Sequence, residues 1–203
     1  METWPDAHRY RGISARAERG NAGGTAEGLP FVPVWSGTEG FFVGVRDMDF
    51  RYAERKDVML ILRFIQELAD YEHMLDEVVA TPELLEEWLF EKKKAEVIFL
   101  LEENIEVGFA LFFYNFSTFL GRAGIYLEDL YVKPEHRGKG YGKALLAQLA
   151  KIAVERNCGR LEWWCLDWNK PSIDFYTSMG AQPMKDWTVY RITGETLKEL
   201  AEQ

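Results

Sequence analysis

The sequence predicts a layered α/β fold with a mixed sheet, and three observations carry that prediction. Strand-like and helix-like runs alternate in the order β-α-α-β-β-β-α-β-α-β-α. One strand, Ile125 to Val132, leads through a Gly-rich turn into a helix whose Leu145, Leu149 and Ile152 share a face. The chain has 203 residues, 47% of them apolar, enough for one full core.

Residues 1–47 stand apart. They hold eight of the 17 glycines, and all five of their basic residues are Arg. Arg11 to Gly28 reads as disordered. Leu29 to Val45 is more apolar but broken by Gly and Pro. We expect residues 1–47 to be an extension, or the result of a start assigned too far upstream, ahead of a domain spanning 48–203. An ordered arm packed through Trp35, Phe41 and Phe42 is the alternative.

Asp49 to Ala53 reads as a first strand. Glu54 to Asp70 is a helix, with Val58, Ile61, Leu62, Ile65 and Leu68 at helical spacing. Thr81 and Pro82 are an N-cap and a first-turn proline, opening a second helix that runs to about Glu91. Val97–Glu102 and Glu106–Phe116 form a hairpin about Glu103-Asn104, followed by a loop from Ser117 to Gly124. After the central strand, turn and helix, Arg160–Leu166 reads as a second buried strand. Ser172–Met179 is a short helix ended by Gly180, Trp187–Ile192 a last strand and Gly194–Glu202 a last helix.

Composition narrows the function. No run of 18 apolar residues exists and no secretory segment is visible, so we expect no membrane partner and a cytoplasmic location. A net charge of −9 disfavours nucleic acid and suits cationic small molecules, although ordinary acidic solubility accounts for it equally. Cys158 and Cys165 lack C-x-x-C spacing, and His8, His73 and His136 fit no ligand motif, so no metal site is expected.

The Gly-rich turn carries the chemistry. Arg137-Gly138-Lys139-Gly140-Tyr141-Gly142-Lys143 opens a helix, whose first N–H groups lack internal partners and carry the positive end of the dipole. Three residues without Cβ let a phosphate approach the backbone. A Gly-rich turn that binds nothing fits the same residues. Lys143 stands where both a dinucleotide fingerprint and a P-loop counted from Gly138 need Gly, so neither matches.

The pattern R-x-x-G-x-G, here Arg137, Gly140 and Gly142, resembles the coenzyme A pyrophosphate loop of the GNAT superfamily of N-acetyltransferases. Tyr126-Leu127-Glu128-Asp129 before the loop, and Trp168 to Tyr176 after it, are similar to the spermidine/spermine (diamine) acetyltransferase branch. The likeness runs from about Met48 onward and is densest from Ile125 to Tyr176.

That resemblance implies a single GNAT-like domain. Its sheet would be mixed and mostly antiparallel, flanked by helices, with a splay between the Ile125–Val132 and Leu161–Leu166 strands for acetyl-CoA. Gly138 to Lys143, with Arg137, Lys139, Gly140, Tyr141 and Gly142, would hold the pyrophosphate. Leu130, Tyr131 and Val132 would run beside the pantetheine, and Asn169, Lys170, Pro171 and Ser172 would line its other wall. Tyr176 would protonate the leaving thiolate. Glu128 would bind the amine and assist its deprotonation, with Tyr71, Glu72, Asp129, Glu162, Trp163 and Trp164 around the acceptor. A homodimer is implied on the same ground.

An alkyl ammonium titrates near ~10.4, so acetyl transfer to it needs a positioned base. On residue type alone a salt-bridged Glu128, a core Tyr176 beside Phe175 and core tryptophans are equally ordinary. In one place the sequence departs from the branch. Ser117 to Arg122 lacks the acidic residue and Trp that polyamine enzymes carry there, and Arg122 adds positive charge. A shorter acceptor, a diamine or lysine-like amino acid, is therefore also expected. A different acceptor, such as a protein N-terminus or an aminoglycoside-type amine, and a non-catalytic acetyl-CoA-binding module remain the other readings.

Overall fold

The computed structural model describes residues 48–203, so the expectations for residues 1–47 lie outside the described part. Five strands form one sheet in the order β1 to β5: Met48–Tyr52, Glu96–Glu102, Ile105–Ser117, Arg122–Val132 and Leu161–Trp163. The first four pair antiparallel, and β4 pairs with β5 in parallel. The helices are α1 (Val58–Tyr71), α2 (Pro82–Glu86, continued by a widened π-turn to Glu91), α3 (Tyr141–Glu155), α4 (Lys170–Ser178) and α5 (Gly194–Ala201).

Alternation along the strands sends side chains to two cores. Ile98, Leu100, Ala110 and Phe112 pack with Leu145, Leu149 and Ile152 of α3. Val97, Phe99 and Phe109 pack with Ile61 and Phe64 of α1. The β2–β3 hairpin turns at Glu103 and Asn104, whose φ values of 53° and 65° are those a two-residue type I′ turn demands.

Three element expectations need correction. The strand expected from Ile125 begins at Arg122 and pairs back to Ser117, which shortens the loop. The buried strand expected over Arg160–Leu166 is only Leu161–Trp163 and is half-buried. The reason lies in β4. Asp129 pairs with Leu111 and Leu127 with Phe112, so Glu128 is the extra residue of a β-bulge. The β4–β5 ladder stops at Leu127–Trp163, and the strands part there. The last strand expected over Trp187–Ile192 joins no ladder. Strand propensity needs a partner edge, and Trp187, Val189, Tyr190 and Ile192 lie exposed. No helix among the described residues is long and apolar enough to cross a membrane.

Candidate active site

The site lies where β4 and β5 part. Helix α1 delivers Tyr71 and Glu72 to it through a Schellman end, in which Met74 N donates to Ala69 O and His73 N to Asp70 O. The left-handed position belongs to His73, at φ 62°, where glycine is usual. Its ring stacks on Trp168, 6.2 Å between centroids.

Three carboxylates meet here. Asp129 is partly buried, and its carboxyl is pushed up to about 7, first by burial and then by the charges of Glu128 and Glu72. Burial also raises Glu72 above the usual carboxylate range. Glu128 itself is exposed. Tyr126, on the same strand, is pushed up by burial and by Glu128 and Glu162, with Arg191 opposing.

Tyr176 of α4 reaches the site from the other wall. Its ring packs on Trp163 at 4.9 Å, and its phenol is pushed up to about 12 by burial, then by Cys165 and Glu72. It therefore keeps its proton throughout the physiological range. Asn169 caps α4. Its Oδ1 accepts from Ser172 N at 3.3 Å and from the Tyr71 hydroxyl at 3.5 Å. Lys170 pairs with Asp174, and Pro171 lies in the first turn of α4.

The Gly-rich turn leads into α3. Its N-cap residue, Gly140, offers no side-chain acceptor to the first N–H groups of the helix. Gly138 and Gly140 have φ values of 76° and 85°, a region that favours glycine. Gly142 is helical, and an added Cβ would meet only Phe175 Cζ at 3.7 Å. Among the described residues only the Phe175 ring lies within 4 Å of that space, and a phosphate at the helix terminus would use it. The residues therefore fit the pyrophosphate of coenzyme A. Leu130, Tyr131 and Val132 lie on β4 past the end of its pairing with β5. Among the described residues, no group of three or more His, Cys, Asp and Glu is placed to hold a metal ion.

The structure brings together Tyr71, Glu72, Asp129, Trp163, Asn169 and Tyr176, with Glu128 at the rim. Glu162 is committed elsewhere, accepting from Asn115 and pairing with Arg160 at 3.0 Å. Trp164 is exposed, edge-on to Tyr126 at 5.7 Å. Arg122 lies at the opposite end of β4 and donates to Asn157 at 3.4 Å. It is not among the charges that act on Asp129. Sequence reasoning passed over Cys165, His73 and Trp168 as participants. Cys165 is pushed up by burial and by Glu72, which places the thiol within the charge environment of the site. No spacing pattern marks these three, because loops and helix ends bring them in.

Comparison with known proteins bears on the same residues. The Acetyltransferase (GNAT) family matches residues 61–181. The chain is 38% identical over 163 residues to a thialysine N-epsilon-acetyltransferase of Bos taurus, covering 74% of this chain and 95% of that protein. It is 44% identical over 100 residues to an L-ornithine N5-acetyltransferase of Arabidopsis thaliana, covering 49% of this chain and 44% of that one. Among solved structures, an integron cassette protein from the mobile metagenome of V. cholerae superposes with a TM-score of 0.66 at 28% identity, over 79% of this chain and all (100%) of that one.

Proposed function

The chain belongs to the GNAT family of acetyltransferases, and we propose that it acetylates the primary amine of a small cationic acceptor by direct transfer. The acceptor class comprises lysine-like amino acids, diamines and polyamines. Relatives named for thialysine and ornithine, both amino acids with a side-chain amine, favour the first. The observation that carries the reading is Asp129, a carboxyl at about 7 beside two further carboxylates where the strands part.

Acetyl-CoA supplies the activated thioester. Glu72, Glu128 and Asp129 together attract an ammonium and set its nitrogen in the gap. Asp129 takes the proton. Starting from an ammonium near ~10.4 and a carboxyl about three units lower, the transfer is roughly 4 to 5 kcal/mol uphill in the ground state. It becomes favourable as the nitrogen bonds to the acyl carbon and acidifies. Tyr176 donates a hydrogen bond toward the sulfur. A phenol near 12 is a weaker acid than a thiol near ~8.5, so donation to the developing thiolate, rather than early proton release, is its contribution.

The exposed apolar side chains of Trp187, Val189, Tyr190 and Ile192 support a homodimer that covers them. The deciding experiment is free-thiol release from acetyl-CoA with thialysine, lysine, ornithine, putrescine, spermidine and spermine, against a no-amine control. Turnover with one acceptor class establishes the reading. Cofactor binding without turnover on any of these amines refutes it in favour of a different acceptor or a non-catalytic module.

A further inference from the structure

Two cations of the Gly-rich turn, Arg137 and Lys139, are already engaged by the protein. Arg137 Nε donates to Val132 O at 2.9 Å, and its guanidinium lies over the rings of Tyr71 and Tyr131, at 4.6 and 5.3 Å. Lys139 Nζ donates to both carboxylate oxygens of Glu102, at 3.0 and 2.9 Å. His136 Nδ1 donates to Glu102 Oε2 at 2.6 Å. Glu102 closes β2, is 7% exposed, and comes from a part of the chain remote from the turn.

The placement of these contacts matters. His136 and Lys139 bracket Arg137 and Gly138, and Gly140 follows at once. Gly138 and Gly140 sit at positive φ, where the free chain has the most conformational freedom to lose. One buried carboxylate that grips the turn on both sides removes that freedom before any ligand arrives.

We propose that Glu102 is a positioning residue for cofactor binding. It clamps residues 136–139 in the shape that exposes the first N–H groups of α3, and it holds Lys139 as a strut. The phosphate is then read by backbone amides and the helix terminus, with Lys139 supporting the turn from behind. The proposal rests on the reading of this turn as the coenzyme A loop.

The test is calorimetric and kinetic. Glu102→Gln keeps the shape but removes the charge, and is expected to raise Kd and KM for acetyl-CoA about tenfold. Saturating kcat and the amine KM stay within twofold, and Glu102→Asp recovers part of the loss. Glu102→Gln combined with Lys139→Gln weakens binding no further than Glu102→Gln alone, because the two act as one unit. Multiplying losses would make Lys139 an independent phosphate ligand and overturn the strut. Should Glu102→Gln not fold, His136→Ala breaks the same clamp away from the phosphate and is expected to weaken acetyl-CoA binding several-fold. Unchanged affinity in a folded Glu102 or His136 variant overturns the clamp alone. Absence of coenzyme A binding by the unmodified protein overturns both the clamp and the cofactor reading beneath it.

Discussion

Glu128 and Asp129 are chain neighbours with opposite surroundings. The bulge leaves Glu128 without a cross-strand partner and exposed, whereas Asp129 faces Leu111 across the ladder and is partly buried. One inserted residue thus separates a carboxylate that attracts from one that can exchange a proton near neutrality.

Asp129→Asn should lower kcat by at least about 100-fold, the usual worth of a positioned base. In the unmodified enzyme kcat/KM should rise with pH through an ionisation near 7. Glu72→Gln or Glu128→Gln removes a charge that raises Asp129, so that rise should move to lower pH in either variant. A pH–rate profile unmoved by both substitutions would assign the ionisation to another group.

The same carboxyl opposes folding. Its folded value of about 7 lies above its ordinary 3.8, so the folded state holds a proton that the unfolded state releases between those values. Stability from this group is intact below about 3.8 and falls as pH rises to about 7, by up to roughly 4 kcal/mol. Asp129→Asn should therefore raise Tm relative to the unmodified protein at pH 8 but not at pH 4. Thermal melts at the two pH values decide it.

Tyr176→Phe keeps the ring on Trp163 and removes only the hydroxyl. Turnover should fall about 100-fold with acetyl-CoA affinity within twofold. Full activity in this variant would remove Tyr176 from the chemistry.

Gly142→Ala should separate stability from binding. Alanine in a helix is worth about 0.8 to 1 kcal/mol over glycine, and the new methyl meets only Phe175 at 3.7 Å. Tm should rise while coenzyme A binding weakens, because the methyl fills the space over the α3 terminus. If titration calorimetry shows unchanged affinity, the phosphate lies elsewhere.

Much of this was legible in the residues. The hairpin turn at Glu103-Asn104, the faces of α1 and α3, and the strand–turn–helix unit about Gly138 to Gly142 follow from local pattern and need no tertiary knowledge. The bulge at Glu128 was not legible. The run from Ile125 to Val132 gives no sign of which residue loses its partner, since that depends on the register against β3. The ranking of Glu128 ahead of Asp129 came from the family resemblance, which carries no information on that register. Trp187–Ile192 has strand composition, and composition is silent on whether an edge is available to receive it. Glu102 looked like the ordinary charged end of a strand, and its role depends on His136 and Lys139 arriving from a distant turn.

The parting of β4 from β5 leaves β4 itself as the edge of the sheet beyond Leu127. Beyond Leu127, β4 keeps β3 on one side and, among the described residues, has no ladder on the other. Alternate peptide groups there present hydrogen-bonding capacity that a strand would normally satisfy. An amide-bearing arm lying in the gap would act as a substitute strand. Amide hydrogens of Leu130 to Val132 that face the gap should therefore exchange rapidly with solvent deuterium in the free protein and slow when the cofactor is added. The protein would be one short strand from a continuous sheet, and its substrate would supply the missing ladder once per turnover.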